Sequence, residues 1–342
     1  MQLSYAPHIL YFKRPFRIAH GVRSSTPVMI TRITHGSFMG YGEASMPPYL
    51  GESHDSASAF LRKAVPVLEK FRDPSDIDSI LSEIDRIAAG NSAAKASVDI
   101  ALHDLNGKMR GITCREMFGA SDTGPNTSYT LGIDEPSVLE EKVREGNEFR
   151  VFKVKLNGEN DKQVIGSIRA VSDKPIAVDV NQGWKNKEQA LEMIHWLKDR
   201  NVLFIEQPLQ KNEWDDAAWL YERSPLPLYA DESIQRYQDL ERMTGCYHGI
   251  NIKLMKCTGM NEANRMIQQA RKNGLKILIG CMSETSCAIS AAAQLSPLAD
   301  HADLDGSLLI KNDLFRGVMF RQGQILFNDL PGIGAEPLID IL

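Results

Sequence analysis

At 342 residues the chain has room for one large α/β domain and a smaller companion, each with a sizeable core. Hydrophobic residues make up 43% and charged residues 24%, which excludes a disordered chain, and no apolar run approaches the roughly 18 residues of a membrane span. The net charge of −5 leaves no basic footprint, which argues against a nucleic-acid partner.

The N-terminal stretch MQLSYAPHILYFKRPF lacks the charged start and apolar run of a secretory leader. Five cysteines, Cys114, Cys246, Cys257, Cys281 and Cys287, form an odd set without zinc-ligand spacing. They read as free thiols of a reducing compartment, and a cytoplasmic location is expected. A homo-oligomer is left open.

In chain order, VMITRIT (Val28 to Thr34) and FMGYGEA (Phe38 to Ala44) alternate as strands, with Gly36 in the turn between them. MPPYLGESHDS is rich in Pro, Gly and Ser and reads as an exposed loop. Helical spacing follows over Ala57 to Phe71 and Pro74 to Ala88. It is clearest in AAKASVDIALHDLNGKMRG, which ends at Gly111.

From Ser128 the rhythm changes. SYTLGI, FKVKL, IAVDVN, LFIEQPL, LYADES, GINIKL, KILIGC and HADLDG are eight short apolar runs, most separated by helix-compatible stretches. That is the repeat of a βα barrel, slightly compact in length. GVMFRQGQILFNDLPGIG then reads as a hairpin that returns toward the N-terminal unit. The expected division is an α+β capping unit over 1–120, with 318–342 returning to it, and a catalytic barrel over 125–317.

Five charged residues mark successive runs: Lys155, Asp179, Glu206, Asp231 and Lys253, separated by 24, 27, 25 and 22 residues. In a parallel barrel the C-terminal strand ends converge on one mouth, where polar residues read as catalytic. Alone, each acid is more often a helix cap or a solvated strand end, and Asp231 before Glu232 and Ser233 is such a case. Three at matching positions point instead to an oxygen-only site for Mg²⁺ or Mn²⁺. Lys153 and Lys155, two apart on a strand, share one face. Two neighbouring ammonium groups are expected to lower at least one pKa toward that of a useful base. Snorkelling of both to solvent is the alternative.

A metal flanked by lysines on opposite sides suits removal of a proton α to a carboxylate, because a cation offsets the charge that develops on the oxygens. Two bases allow inversion at carbon. Asp303 and Asp305 share a face of the last run, where they would bind a substrate ammonium, hold a third metal site, or cap the turn at Gly306. The polar segment Cys281-Met282-Ser283-Glu284-Thr285-Ser286 follows the seventh run. It would either line the mouth or cap the next helix through Ser283 or Thr285.

These residues resemble the enolase superfamily, and within it the muconate-lactonizing subgroup. The motifs KVK, VDVNQGW, IEQP, ADES and NIKLMKCTG carry the resemblance, which covers the whole chain through YGEAS and VDIALHDL. It implies a modified TIM barrel of (β/α)7β type with an N-terminal α+β cap. It also implies the superfamily's general chemistry, lysine bases with Mg²⁺ stabilising an enediolate. Lys155 and Lys253 would be the two bases, Lys153 their electrostatic partner, and Asp179, Glu206 and Asp231 the metal ligands. The Asp-x-Asp pair is similar to that of dipeptide epimerases, where it implies that Asp303 and Asp305 hold the α-ammonium. Known members act on L-Ala-D/L-Glu from murein peptides and read the glutamate partly through an arginine on a mobile N-terminal loop. In RIAHGVRSS that arginine would be Arg23, with His20 second and Arg17 less suited. Thr130 matches a substrate-contacting position, and Met282, Ser283 and Glu284 would complete the pocket. Glu284 is expected as a charge facing the mouth, which would disfavour an acidic side chain.

The alternatives through the same intermediate are a muconate cycloisomerase, an o-succinylbenzoate synthase and an N-acylamino acid racemase. The first two take substrates without an ammonium, so the Asp pair argues against them. A Schiff-base aldolase would leave the three carboxylates without a purpose. A non-catalytic barrel would be expected to lack at least one of the five charged residues.

Overall fold

Two antiparallel ladders open the chain in the structure, a computed structural model that describes residues 1–18 and 21–341. β1 (Gln2–Ile18) pairs with β2 (Gly21–His35), and β2 with β3 (Phe38–Ser45), in the order β1-β2-β3. Gly36, at φ +58°, makes the two-residue hairpin turn between His35 and Phe38. The alternation of VMITRIT thus lies inside a longer strand. β1 has no counterpart in the sequence reading. It carries Pro7 and Pro15 and tolerates them because it is an edge strand, with its register broken between Tyr11 and Phe16.

The stretch read as a loop contains a short 3-10 turn, Pro48–Leu50, and the start of α1 (His54–Lys70), where Ser53 and Ser56 form a reciprocal cap. α2 (Ile77–Arg86) and the mostly buried α3 (Ser92–Arg110) follow. α3 can lie on β3 because Gly40 and Gly42 leave a notch. A Cβ there would meet the carbonyl oxygens of Ala101 at 2.1 Å and Ser97 at 1.9 Å. α4 (Cys114–Met117) completes this part.

The eight apolar runs then become eight parallel strands: β4 (Tyr129–Leu131), β5 (Phe152–Lys155), β6 (Ile176–Asp179), β7 (Val202–Glu206), β8 (Leu228–Ala230), β9 (Gly249–Lys253), β10 (Lys276–Gly280) and β11 (His301–Asp303). They pair in sequence order, and a parallel bridge between Thr127 and Ala302 closes the ring. The crossovers are α5 (Pro136–Glu145), α6 (Asp161–Arg169), α7 (Lys187–Lys198), α8 (Trp214–Arg223), a 3-10 segment Tyr237–Arg242, α9 (Met260–Lys272) and α10 (Ser286–Leu295). After β11 only the short 3-10 turn Gly306–Leu309 follows, which gives the (β/α)7β pattern.

The strands Met319–Arg321 and Gln324–Leu326 form the expected hairpin. The chain then returns to α3 and α4, with the Ile333 N–H donating to Asp104 at 3.0 Å and the Cys114 N–H to the Gly332 carbonyl at 2.7 Å. One apolar core runs through both parts, and Ala177, Phe204, Tyr229 and Leu278 plug the barrel from within. With that end filled, inward side chains at the opposite strand ends face a cavity.

Candidate active site

The strand register sets the charged residues at one level. Lys155, Asp179 and Glu206 are direct partners across β5, β6 and β7, and Gly280 is the partner of both Lys253 and Asp303 across β9, β10 and β11. In a ring of eight, β5 and β9 stand opposite one another, so Lys155 and Lys253 approach from facing walls. They line a cavity of about 310 Å³ together with Lys153, Asp231, Asp303, Asp305 and Thr130.

Asp179, Glu206 and Asp231 present carboxylate oxygens that all lie within 4.8 Å of one another, fully buried. The lysines close over them. The Lys155 ammonium is 2.6 Å from Asp179, Lys253 is 2.7 Å from Asp231, and Lys153 reaches Asp303 at 2.7 Å, Glu206 at 2.8 Å and Asp179 at 3.1 Å. Burial pushes Glu206 up to about 7, with the Asp179 charge adding to it. Burial also acts on Asp179, but Lys155 and Lys153 override it and hold the group at about 2.

For Lys153 the balance runs opposite to the lowering expected of two neighbouring ammonium groups. Burial would lower the Lys153 ammonium, yet Asp303, Glu206 and Asp179 outweigh it and raise its pKa well above the ordinary value. Lys253 is raised in the same way, chiefly by Asp231. Neighbouring carboxylates, rather than the neighbouring lysine, set the balance.

The donor set fits a hard divalent cation. It is all oxygen, and Glu206 Oε2, Glu232 Oε2, Asn181 Oδ1 and Asn251 Oδ1 are buried without a hydrogen bond among the described residues. Glu206 Oε2 has the 2.8 Å ion contact to Lys153 but no directed bond. Such a surplus of buried acceptors is what a cation would satisfy.

Several supporting residues escape a reading of the sequence. Asn251 donates to Glu206 at 2.7 Å, from space that a side chain at Gly280 would occupy. Lys256, in the turn just after Lys253, bonds the Asp231 carboxylate and, at 2.7 Å, its carbonyl. Gln207 sits at φ +40° and accepts from the Asp231 and Ser233 N–H groups at 3.0 and 3.1 Å, tying the second acid's strand to the third's. Only Lys256 and Gln207 leave a signal, as polar residues close behind a strand end.

Asp303 and Asp305 meet the first strand. Ser128 donates to Asp303 at 2.8 Å, and Thr130 donates to Asp305 through its N–H at 2.6 Å and its hydroxyl at 3.0 Å. Burial pushes Asp305 up to about 7, and the Asp303 charge adds to it. An incoming ammonium would relieve that repulsion.

Arg23 lies on β2, not on a loop, and it lines the cavity. Its Nη1 is buried with no hydrogen-bond partner among the described residues, and burial lowers its pKa. His20 lies outside the described residues. Arg17 lies on β1 and does not line the cavity. Tyr49, from the stretch read as loop, joins Arg23. Its ring is half exposed, while its hydroxyl is buried and donates to Met282 Sδ at 2.7 Å. Met282 and Ser283 line the cavity.

Glu284 does not. Only 2% exposed, it turns under the loop and accepts from the Met282 N–H at 2.9 Å. Burial, then the Glu43 charge, pushes it up to about 8, so it is no charge facing the mouth. Thr285, not Ser283, caps α10 by accepting from the Cys287 N–H.

Comparison with known proteins places the chain in a family. Residues 6–119 match the mandelate racemase / muconate lactonizing enzyme N-terminal domain, and residues 137–340 match the enolase C-terminal domain-like family. The chain belongs to the mandelate racemase / muconate lactonizing enzyme family. Within this family it is similar to an L-Ala-D/L-Glu epimerase of Bacteroides thetaiotaomicron, 50% identical over 98% of this chain and 88% of that one. An L-Ala-D/L-amino acid epimerase of Pedosphaera parvula is 37% identical, with 97% of each chain covered. Among solved structures, a dipeptide epimerase of Cytophaga hutchinsonii complexed with Mg and D-Ala-L-Val superposes with a TM-score of 0.93. It is 29% identical and covers 100% of this chain and 98% of its own.

Proposed function

We propose that this protein is a Mg²⁺-dependent dipeptide epimerase that inverts the α-carbon of the C-terminal residue, with L-Ala-D/L-Glu as its substrate. The carrying observation is that Lys155 and Lys253 end opposite strands of one cavity, with three buried carboxylates between them and Asp303 and Asp305 at its edge.

Asp179, Glu206 and Asp231 hold the ion. When bound, Mg²⁺ offsets the negative charge that grows on the substrate carboxylate as the α-proton leaves. Lys153, buried beside the same oxygens, adds a fixed positive charge there. One lysine, in the neutral amine form that its paired carboxylate disfavours until a cation engages that carboxylate, takes the α-proton from its face and becomes ammonium. The other, as ammonium, returns a proton to the opposite face of the same carbon. The configuration inverts, and the reverse reaction exchanges the two roles.

Asp303 and Asp305 receive the substrate's α-ammonium, with Thr130 and Ser128 fixing their orientation. Arg23 receives the side-chain carboxylate, for which its unpartnered Nη1 is a ready donor. Met282 and Ser283 form the wall beside it, and Glu284 braces that wall from beneath. Because Glu284 is turned away from the cavity, it does not oppose an acidic substrate. The similarity to the Bacteroides enzyme supports the same choice.

In this reading residues 1–120 with 318–342 form the capping unit and 125–317 the catalytic barrel. The free thiols suit a reducing compartment, and we assign the reaction to the cytoplasm, on dipeptides released from murein. No helix among the described residues is long and apolar enough to cross a membrane.

The test is mass-spectrometric α-deuterium uptake from D₂O across a dipeptide library, with Mg²⁺ and with EDTA. Metal-dependent uptake, fastest for L-Ala-L-Glu, is expected. Absence of uptake from every dipeptide by folded, Mg²⁺-loaded protein would overturn the proposal.

A further inference from the structure

The YGEAS motif and the buried Glu284 take no part in the chemistry above, yet they meet at one place. The end of β3 and the turn after it grip the loop following β10 at three positions: Glu43 holds Thr285, Ser45 holds Ser283, and Tyr49 holds Met282. The Glu43 carboxylate is wholly buried and accepts from the Thr285 N–H at 3.0 and 3.2 Å and from the Ala288 N–H at 3.3 Å. It also accepts from the Thr285 hydroxyl, whose oxygen in turn accepts from the Cys287 N–H at 3.1 Å. A glutamate more than 200 residues away thus satisfies N–H groups that every helix start leaves open.

The neighbouring contacts are made the same way. Ser45 donates to the Ser283 carbonyl at 2.8 Å, and Asp313 accepts from the Ser286 N–H at 3.1 Å and its hydroxyl at 2.7 Å. Behind the loop lies Gly306, next to Asp305, where a Cβ would come within 2.3 Å of the Met282 carbonyl oxygen. The loop that supplies Cys281, Met282 and Ser283 to the cavity is therefore set from outside the barrel. β3 holds it from one side and the Asp305–Gly306 segment confines it from the other.

We propose that Glu43, aided by Ser45, is a positioning residue for substrate choice: it fixes the Met282–Ser283 wall against Tyr49 and Arg23 and so determines which C-terminal side chain the cavity accepts. The assignment rests on the epimerase reading. Glu43 acts only through the loop, since it does not line the cavity or contact the three central carboxylates.

The test uses the full-length, Mg²⁺-loaded enzyme and the variants Glu43→Ala, Glu43→Gln and Ser45→Ala, with kcat and KM measured for L-Ala-L-Glu and L-Ala-L-Val. Loss of several buried hydrogen bonds predicts a rise in KM for L-Ala-L-Glu of about tenfold in Glu43→Ala, with kcat changed less than about twofold. The preference between the two dipeptides should narrow. Glu43→Gln, which keeps one acceptor oxygen, should fall between wild type and Glu43→Ala. Ser45→Ala should raise KM by about two- to threefold. Amide exchange at Thr285 and Ala288 should quicken in both Glu43 variants.

A folded Glu43→Ala with a lower melting temperature but wild-type KM and preference would reduce Glu43 to a structural cap and overturn the proposal. If Glu43→Ala does not fold, unchanged KM in Glu43→Gln and Ser45→Ala would overturn it equally. Wild-type turnover separates the two readings. Without it the epimerase reading itself fails, whereas with it and unaltered variants only the Glu43 assignment does.

Discussion

The two walls of the cavity are built on different principles. The chemical side, from Lys155 round to Lys253, consists of residues at the ends of consecutive strands, each held by its neighbour in the sheet. The selecting side joins Arg23 from β2, Tyr49 from a 3-10 turn and Met282 from the loop after β10, segments that meet only through tertiary packing. The first arrangement is rigid because hydrogen-bonded backbone defines it. The second depends on a few side-chain contacts across distant parts of the chain. Chemistry is thereby held constant while selection is free to vary, as expected when function is grafted onto a fold through loops.

The largest expected effect breaks the chemical side. Asp179→Asn should cost about 10³-fold or more in kcat, by the measure of losing electrostatic stabilisation at a reacting centre. It should weaken Mg²⁺ binding in calorimetry as well. Wild-type Mg²⁺ affinity in that variant would remove Asp179 from the metal site. At the boundary between the walls, Asp305→Asn deprives the substrate ammonium of a charge-assisted partner, and kcat/KM should fall by about 10- to 100-fold. Unaltered turnover would end the ammonium-binding argument.

Arg23→Met sharpens the contrast. A side chain built to bond an acidic group should discriminate strongly, so kcat/KM for L-Ala-L-Glu should drop by about 100-fold while L-Ala-L-Val stays within a few-fold. An equal loss for both dipeptides would assign Arg23 to general folding.

The smallest effect concerns stability. Glu284 holds its proton up to about pH 8 when folded, against an ordinary glutamate value of 4.5. The folded state therefore binds more protons than the unfolded state, and stability is fully present below pH 4.5 and declines as pH rises toward 8. The slope is at most about 1.4 kcal/mol per pH unit for one group. Melting temperatures between about pH 5 and 9 should fall less steeply in Glu284→Gln than in wild type. Parallel curves would show that the group titrates normally.

The same division governs what the sequence makes legible. All eight barrel runs are strands, and the acids and lysines at their ends converge, because a period-two apolar run fixes both the element and the direction of its last side chain. β1 was not legible, since an edge strand can carry prolines and exposed residues that blur its pattern. The fifth crossover is a 3-10 segment where a helix completes the other repeats, and RYQDLER is too short to distinguish the two. Tyr49 and Glu43 could not be assigned from sequence, because their partners lie 233 and 242 residues away. Glu284 has a charged residue's identity but the burial of a core residue, and only the folded loop reveals which one governs.

The account's central claim is that two lysines act from opposite faces of one carbon. The direct measurement is α-proton exchange in D₂O for L-Ala-L-Glu and L-Ala-D-Glu separately, with Lys155→Ala and Lys253→Ala. The account predicts that epimerisation stops in both variants, that each still exchanges one epimer, and that the retained epimer differs between them. Exchange of both epimers by either single variant, or retention of the same epimer by both, would contradict it.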